Sequence, residues 1–198
     1  MSKRQVSRLC GEIDERVAAF LHRPLKGGWS NLWLDATYIK VPGGGRIVSV
    51  AAIVAVAVEP SEAEVFWDEF LRSLADRGLR GTRLVVADDH KWLKAAVAKV
   101  RDATVQRCRV HFMRNALACA GKKDRPSVTA AHRAAFDLDT LAASKDRWAK
   151  LIDAFEQRHP KLAERMLRAE QDVLAYMGFP RQRRTKLHST RSSTSTRR

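Results

Sequence analysis

The sequence has few cysteines, no long apolar run and no acidic residue near its end. Its three cysteines, Cys10, Cys108 and Cys119, cannot all pair within one chain, which excludes a disulfide scaffold and favours a reducing, cytoplasmic location. The longest apolar run, 47–58, is interrupted only by Ser49 and is too short to cross a bilayer as a helix. The start of the chain lacks the hydrophobic region of an export signal. These absences predict a globular protein that is not embedded in a membrane.

Positive charge is what the sequence has in excess. In 198 residues, 37 Lys and Arg face 22 Asp and Glu, which gives a formal net charge of +15, while 45% of the residues are apolar. The segment 181–198 carries seven of the cations and no acid, so the first 180 residues still carry +8, since 15 minus 7 is 8. Such an excess favours a polyanionic partner, above all nucleic acid. A solvated basic surface with a disordered tail is the alternative from charge alone.

The hydrophobic pattern predicts a mixed α/β chain followed by helices. Apolar residues three and four apart predict an amphipathic helix over 2–21. LWLDATYIKV and IVSVAAIVAVAV each read as one strand, and Ser61 with Glu64 forms a capping-box pattern for a helix over 62–77. Alternating strand and helix patterns then predict a mixed sheet. The remaining expected elements are strands at 82–88 and 103–108 and helices at 90–100, 110–120, 127–136, 140–157 and 161–177.

Two aspartates stand out because of where the predicted strands place them. Asp35 lies within an apolar strand, and Asp88 ends another, where open α/β sheets usually bind ligands. An ionised carboxylate on a core strand is costly unless it meets a cation, so the pair predicts a divalent-metal site, and Mg²⁺ fits best. The alternative is structural: Asp35 pairs with an arginine or caps a turn, and Asp88 caps the next helix.

Several segments carry a family resemblance: LWLDATYIKV, GGRIVSVAAIVAVAV, PSEAEVFWDEFLRSLADRGLRGTRLVVADDHKWLKAAVAKV, QRCRVHFMRNALA and VLAYMGFPRQRRTKLHST. In this order they resemble the catalytic domain of mutator-type bacterial insertion-sequence transposases, over about 6–190. The resemblance implies a ribonuclease H-like mixed sheet of five strands with a helical insertion. It also implies an Asp, Asp, Glu triad that uses Mg²⁺ or Mn²⁺ to cut and join DNA at transposon ends.

Carried onto this sequence, the resemblance makes Asp35 and Asp88 the first two catalytic, metal-binding carboxylates. His90 and a Cys-x-x-His pair, Cys108 and His111, are expected near the site. A structural zinc needs four ligands, so we interpret that pair as packing or orienting groups. Expected DNA contacts are Lys91, Arg181, Arg183, Arg184 and Lys186. Candidate partners are DNA, a second copy of the chain and an intact transposase.

The resemblance also implies a division of the chain. The expected parts of the chain are an N-terminal amphipathic helix and linker at 1–28, a ribonuclease H-like catalytic core at 29–120, a helical insertion region at 121–180 and a basic, disordered tail at 181–198. A DNA-binding region precedes this part in the family, so recognition of terminal repeats is expected to be missing. Between AVAV and EPSEAE the family has a further hairpin and strand, which indicates a deleted edge strand and an exposed apolar neighbour.

Other departures concern the site. Asp89 and Trp92 replace an Ala and a Gly of the family pattern. After KLHST the family continues Asn-Pro-Ile-Glu-Arg-Leu-Asn, which supplies the third carboxylate, whereas this chain reads RSSTSTRR and contains no acid there. The change is consistent with a frameshift in a truncated copy, and an inactive transposase is expected. The alternatives are a non-catalytic DNA-binding fragment that inhibits an intact relative and a misfolding product without function.

Overall fold

The computed structural model describes residues 2–34, 36–43, 46–53, 57–59, 64–89, 91–100 and 103–188. None of the helices within these ranges is long and apolar enough to cross a bilayer. One helix precedes four consecutive strands, helices and strands then alternate up to Arg107, and every element described after Arg107 is a helix. The elements are α1 Lys3–His22, β1 Asn31–Trp33, β2 Ala36–Gly43, β3 Arg46–Ile53, β4 Ala57–Glu59, α2 Glu64–Asp76, β5 Leu84–Ala87, α3 Lys91–Val100, β6 Thr104–Arg107, α4 Arg109–Ala118, α5 Arg125–Phe136, α6 Leu141–Glu156, α7 Pro160–Leu174, a 3₁₀ helix Ala175–Gly178 and α8 Arg181–Leu187.

A parallel sheet contains three strands in the order β1, β5, β6. Its middle strand, β5, is buried along its whole length, as expected for an apolar run that is covered on both faces. Trp33 of β1 pairs with Val86, and Arg107 of β6 pairs with Ala87. The chain passes from β5 to β6 through α3, the kind of crossover that parallel neighbours require. Asp88 therefore stands at the carboxyl edge of the middle strand.

A second, antiparallel sheet contains β2, β3 and β4 in that order. Ala36 of β2 pairs with Ile53 of β3, and Ile53 also pairs with Ala57 of β4. The prediction of a single strand through 47–58 is wrong: so long a strand would extend about 40 Å, whereas the run folds back and pairs with itself. β4 covers Ala51–Ile53 of β3 at that edge. The expected deletion of a hairpin and strand relative to the family stays a prediction.

The predicted strand across LWLDATYIKV is divided between the two sheets. β1 belongs to the parallel sheet and β2 to the antiparallel one. Leu34, which follows β1, is buried, and its N–H donates to the Val86 carbonyl at 2.8 Å. One short stretch of chain therefore connects the two sheets next to the carboxyl end of β5.

Two hydrophobic clusters cover the two faces of the parallel sheet. Val85 and Ala87 belong to a cluster with residues of α2 and α3, such as Trp67. Leu84 and Val86 belong to a second cluster, which the helices from α4 to α8 build. The alternation follows from the period of two along a strand. The protein is thus a mixed α/β structure whose larger part is helical.

The segment after Pro180 begins with a helix, which corrects the prediction of a disordered tail from 181 onward. α8 covers Arg181–Leu187, and its Leu187 is buried in the helical cluster. Burial of Leu187 helps to hold the segment, although its neighbours are mostly polar and cationic. The rest of the predicted tail, 189–198, lies outside the described residues.

Two histidines are held neutral by the helical part of the protein. His132 is fully buried among aromatic rings, with its Nδ1 2.8 Å from the Val128 carbonyl. Burial lowers the pKa of His132 below its usual value, and the hydrogen bond to Val128 opposes this only in part. At the end of α8, burial and then the nearby Arg109 guanidinium lower the pKa of His188 to about 4. Both imidazoles resist protonation in the folded state.

The free energy of unfolding is therefore expected to fall as the pH drops below about 6.5, the usual pKa of an unfolded histidine. The unfolded chain binds these protons and the folded chain does not, so acid favours unfolding until the pH reaches the lowered, folded-state values. Urea denaturation at neutral and mildly acidic pH measures the effect. His132→Phe should weaken the pH dependence. An unaltered dependence in His132→Phe would contradict this assignment.

Candidate active site

Asp88 follows β5 directly and lies at the carboxyl edge of the parallel sheet, where sheets of this kind bind ligands. Its side chain is 47% exposed, so a substrate can reach it. Asp88 Oδ1 accepts a hydrogen bond from the Asp89 N–H at 2.7 Å, and Asp88 Oδ2 lies 3.9 Å from His111 Nδ1. The partner aspartate of the sequence prediction, Asp35, and the near-site His90 lie outside the described residues.

The Cys-x-x-His pair lies beside Asp88, at the start of α4. Cys108 is fully buried, and its N–H donates to the Ala87 carbonyl at 2.6 Å. His111 is 17% exposed, and its Nδ1 is buried without a hydrogen-bond partner in the described part of the chain. The His111 imidazole is therefore a functional neighbour of Asp88.

Asp89 is held by two cations that the sequence did not reveal. Its Oδ2 lies 3.0 Å from Arg107 Nη1, and its Oδ1 lies 3.0 Å from Lys94 Nζ. Lys94 also pairs with Asp172 of α7. Burial alone would raise the pKa of the Asp89 carboxyl, but Arg107 and Lys94 outweigh it and hold that pKa below its usual value. Asp89 is thus an ionised structural partner, and Asp88 is the more available carboxylate of the two.

α8 presents four of the predicted DNA-contacting residues: Arg181, Arg183, Arg184 and Lys186. Arg181 Nη2 lies 2.7 Å from Asp139 Oδ1, and Arg184 donates to the carbonyls of Phe179 and Asp139. Arg183 and Lys186 are exposed. Lys91, the fifth predicted contact, is exposed at the first position of α3. Arg181 and Arg184 therefore have partners within the chain that DNA would have to share.

A metal site is not complete among the described residues. Within those ranges, His, Cys, Asp and Glu side chains form no group of three or more that could hold an ion. The predicted pair of metal ligands, Asp35 and Asp88, includes one residue outside the ranges. The assignment of both as ligands stays a prediction.

Comparison with known proteins decides the family. A family model described as "Transposase, Mutator family" matches residues 1–195. The chain belongs to the mutator family of transposases. The resemblance noted in the sequence is confirmed, and it covers nearly all of this mutator-family chain.

Curated relatives of the mutator-family chain carry matching names. It is 37% identical to the transposase for insertion sequence element IS406 from Burkholderia multivorans, over 96% of this chain and 53% of that protein. It is 34% identical to the transposase for IS1081 from Mycobacterium tuberculosis, over 92% of this chain and 48% of that protein. It is 32% identical to the transposase for ISRM5 from Rhizobium meliloti, over 96% of this chain and 51% of that protein. The chain thus spans about half the length of the relatives that it matches.

Proposed function

We propose that the chain carries two of the three catalytic carboxylates of a mutator-type transposase core, Asp35 and Asp88, and binds DNA and a divalent metal ion through this region. The observation that carries the proposal is the position of Asp88 in a member of this family. The Asp88 side chain is 47% exposed at the carboxyl edge of β5, two residues after Val86. Trp33, the partner of Val86, is followed two residues later by Asp35 in the sequence.

The strand arrangement supports a ribonuclease H-like fold. β1 and β2 follow each other with two residues between them, and together they account for one strand of the expected five. On one side, β3 and β4 continue the antiparallel sheet; on the other, β5 and β6 run parallel to β1. Helices α5, α6 and α7 lie within 121–180, the range in which the resemblance implies a helical insertion. These relations favour the fold that the family resemblance implies.

The end of α8 lies next to the proposed site. The His188 carbonyl accepts a hydrogen bond from the Arg109 N–H at 2.8 Å. Cys108, which precedes Arg109, donates its N–H to the carbonyl of Ala87, and Asp88 is the residue after Ala87. In the family pattern, the third carboxylate follows the position of His188 within a few residues. This placement supports Asp88 as a member of the same constellation.

The donors near Asp88 fit a divalent ion in chemical type. Mg²⁺ prefers carboxylate oxygens, and Mn²⁺ also accepts an imidazole nitrogen. Asp88 and Asp35 would supply oxygens, and the orphaned Nδ1 of His111 is a further donor within 3.9 Å of Asp88. When bound, divalent ions activate an attacking oxygen and stabilise a leaving one in phosphoryl transfer. The Asp89 pairs with Arg107 and Lys94 leave Asp88 open for this role.

The 198-residue chain alone is expected to bind DNA without cutting it. No Asp or Glu follows Asp172 in the sequence, so the segment that holds the third carboxylate in the family pattern supplies none here. Two carboxylates can hold an ion but lack the third ligand of the geometry that phosphoryl transfer needs. Incubation of the purified chain with transposon-end DNA and Mg²⁺ or Mn²⁺, followed on denaturing gels, tests the expectation.

Binding without cleavage also describes the second candidate function, a DNA-binding inhibitor of an intact relative. The exposed cations of α8, Arg183 and Lys186, favour it. Addition of the chain to an intact mutator-type transposase should then reduce strand cleavage, and the Arg183→Gln/Lys186→Gln variant should reduce it less. Metal-dependent DNA cleavage by the chain itself that disappears in the Asp88→Ala variant would contradict the expectation that the chain binds DNA without cutting it.

A further inference from the structure

A polar cavity of about 320 Å³ opens beside Asp89, with one wall formed by α7. Its volume falls in the lower part of the range of small-ligand sites, about 300 to 1,000 Å³. The lining contains four cations, Arg107, Lys161, Arg165 and Arg168, and two acids, Asp89 and Glu164. Positive charge therefore exceeds negative charge around the cavity.

Arg107 is the buried cation of this cavity. Only 3% of its surface is exposed, and its Nη1 binds Asp89 Oδ2 at 3.0 Å. Its Nε and Nη2 are buried and have no hydrogen-bond partner among the described residues. Buried guanidinium N–H groups without acceptors are unfavourable. The structure thus holds donors that an added acceptor would satisfy.

A second arginine adds to the unmatched charge. The Nε of Arg165 is buried and likewise has no partner in the described ranges. Burial, and then the like charge of Arg165, lower the pKa of Arg107, while Asp89 raises it. Both acids of the lining are already engaged, Asp89 with Arg107 and Lys94, and Glu164 with Arg168. Among the described residues, no carboxylate of the lining forms an ion pair with Arg165.

We propose that this cavity binds a phosphate group. Phosphate offers several acceptor oxygens and negative charge to converging guanidinium groups, whose planar forks match its geometry. Arg107 and Arg165 would direct their unpaired N–H groups at its oxygens, and Lys161 would add a point charge. Assignment of that phosphate to the backbone of a DNA strand rests on the proposed function. Free inorganic phosphate has the same chemistry and does not depend on it.

Cys119 gives a direct readout, because it lines the same cavity and is partly exposed. In a Cys10→Ser background, the exposed competing thiol is removed, and Cys108 is buried. Alkylation of Cys119 by N-ethylmaleimide, a neutral reagent, is followed by mass spectrometry. The rate is measured in inorganic phosphate, in a short single-stranded oligonucleotide, and in sodium chloride of equal ionic strength.

Inorganic phosphate, the oligonucleotide, or both are expected to slow alkylation by about threefold or more at saturation. Arg165→Gln and, separately, Lys161→Gln should each reduce the protection, while Arg133→Gln, an exposed cation of α5 outside the lining, should keep it. Protection by the oligonucleotide assigns the phosphate to DNA, and protection by inorganic phosphate alone assigns it to a free anion. Equal rates in both anions and in chloride overturn the proposal. Metal binding at Asp88, which tests the proposed function, does not enter this readout.

Discussion

Replacement of Trp148 by alanine is expected to lower the free energy of unfolding by about 3 to 5 kcal/mol. The Trp148 ring is fully buried, and ring centroids of Phe112 and Phe136 lie 5.5 and 5.6 Å away. Its Nε1–H donates to the Met166 carbonyl at 3.0 Å, which ties α6 to α7. The substitution removes this hydrogen bond and leaves a cavity in the core of the helical region.

Urea denaturation of the wild type and Trp148→Ala measures the loss. Trp29→Ala serves as the matched control, because Trp29 is 46% exposed, and we expect it to cost less than about 1 kcal/mol. Similar losses in the two variants would show that the helical cluster does not depend on Trp148.

Replacement of Gln106 by leucine is expected to cost about 2 to 4 kcal/mol through lost hydrogen bonds, with little change in volume. Gln106 is fully buried in β6, and its Nε2 donates to the carbonyls of Arg107, at 2.6 Å, and Val173, at 3.0 Å. Its Oε1 accepts the Tyr176 N–H at 2.6 Å. Leucine would leave the Tyr176 N–H buried without this acceptor.

The position of Gln106 makes this loss relevant to the site. Its amide connects the sheet to the end of α7, and Arg107, the partner of Asp89, is the next residue. Gln171→Leu, at an exposed position of α7, is the control and should leave the urea midpoint nearly unchanged. If Gln106→Leu falls within about 0.5 kcal/mol of the wild type, the buried amide is not a structural link.

Elements with a strong local pattern could be predicted from the sequence. The helix expected over 62–77 is α2, Glu64–Asp76, and Phe70, Leu71 and Leu74 of its apolar stripe are buried. The strand that ends at Asp88 is β5, also buried as expected. Spacing alone sufficed there, because each segment packs one continuous apolar face or is apolar throughout.

Elements whose limits depend on distant partners could not be predicted. The run 47–58 contains no glycine or proline to mark where β3 ends, so it read as one strand. α8 read as part of a tail because cations outnumber its one buried residue, Leu187. Pro180 before it and the lone leucine were the only local signals, and neither outweighs so basic a composition.

The polar contacts around the site were hidden for a related reason. Gln106 and Arg107 lie in the segment QRCRV, residues 106–110, whose polar residues suggest an exposed stretch, yet both side chains are buried. Gln106 Oε1 accepts a hydrogen bond from the Tyr176 N–H, 70 residues further along the chain. Lys94 donates a hydrogen bond to Asp172, which is 78 residues away in sequence. Asp88 could be found because a strand ends there. Asp89 departs from the family pattern, and its partner Arg107 could not be predicted from that departure.

Binding of Mn²⁺ to the purified chain tests most directly whether Asp88 belongs to a transposase metal site. Electron paramagnetic resonance of free Mn²⁺ gives the affinity, and Asp88→Asn should weaken it by about tenfold or more because a charged ligand is lost. Asp35→Asn should act in the same direction. Asp146→Asn, at an exposed position of α6 paired with Lys150, should retain the wild-type affinity. Equal Mn²⁺ affinity in the wild type, Asp35→Asn and Asp88→Asn would contradict the proposed site.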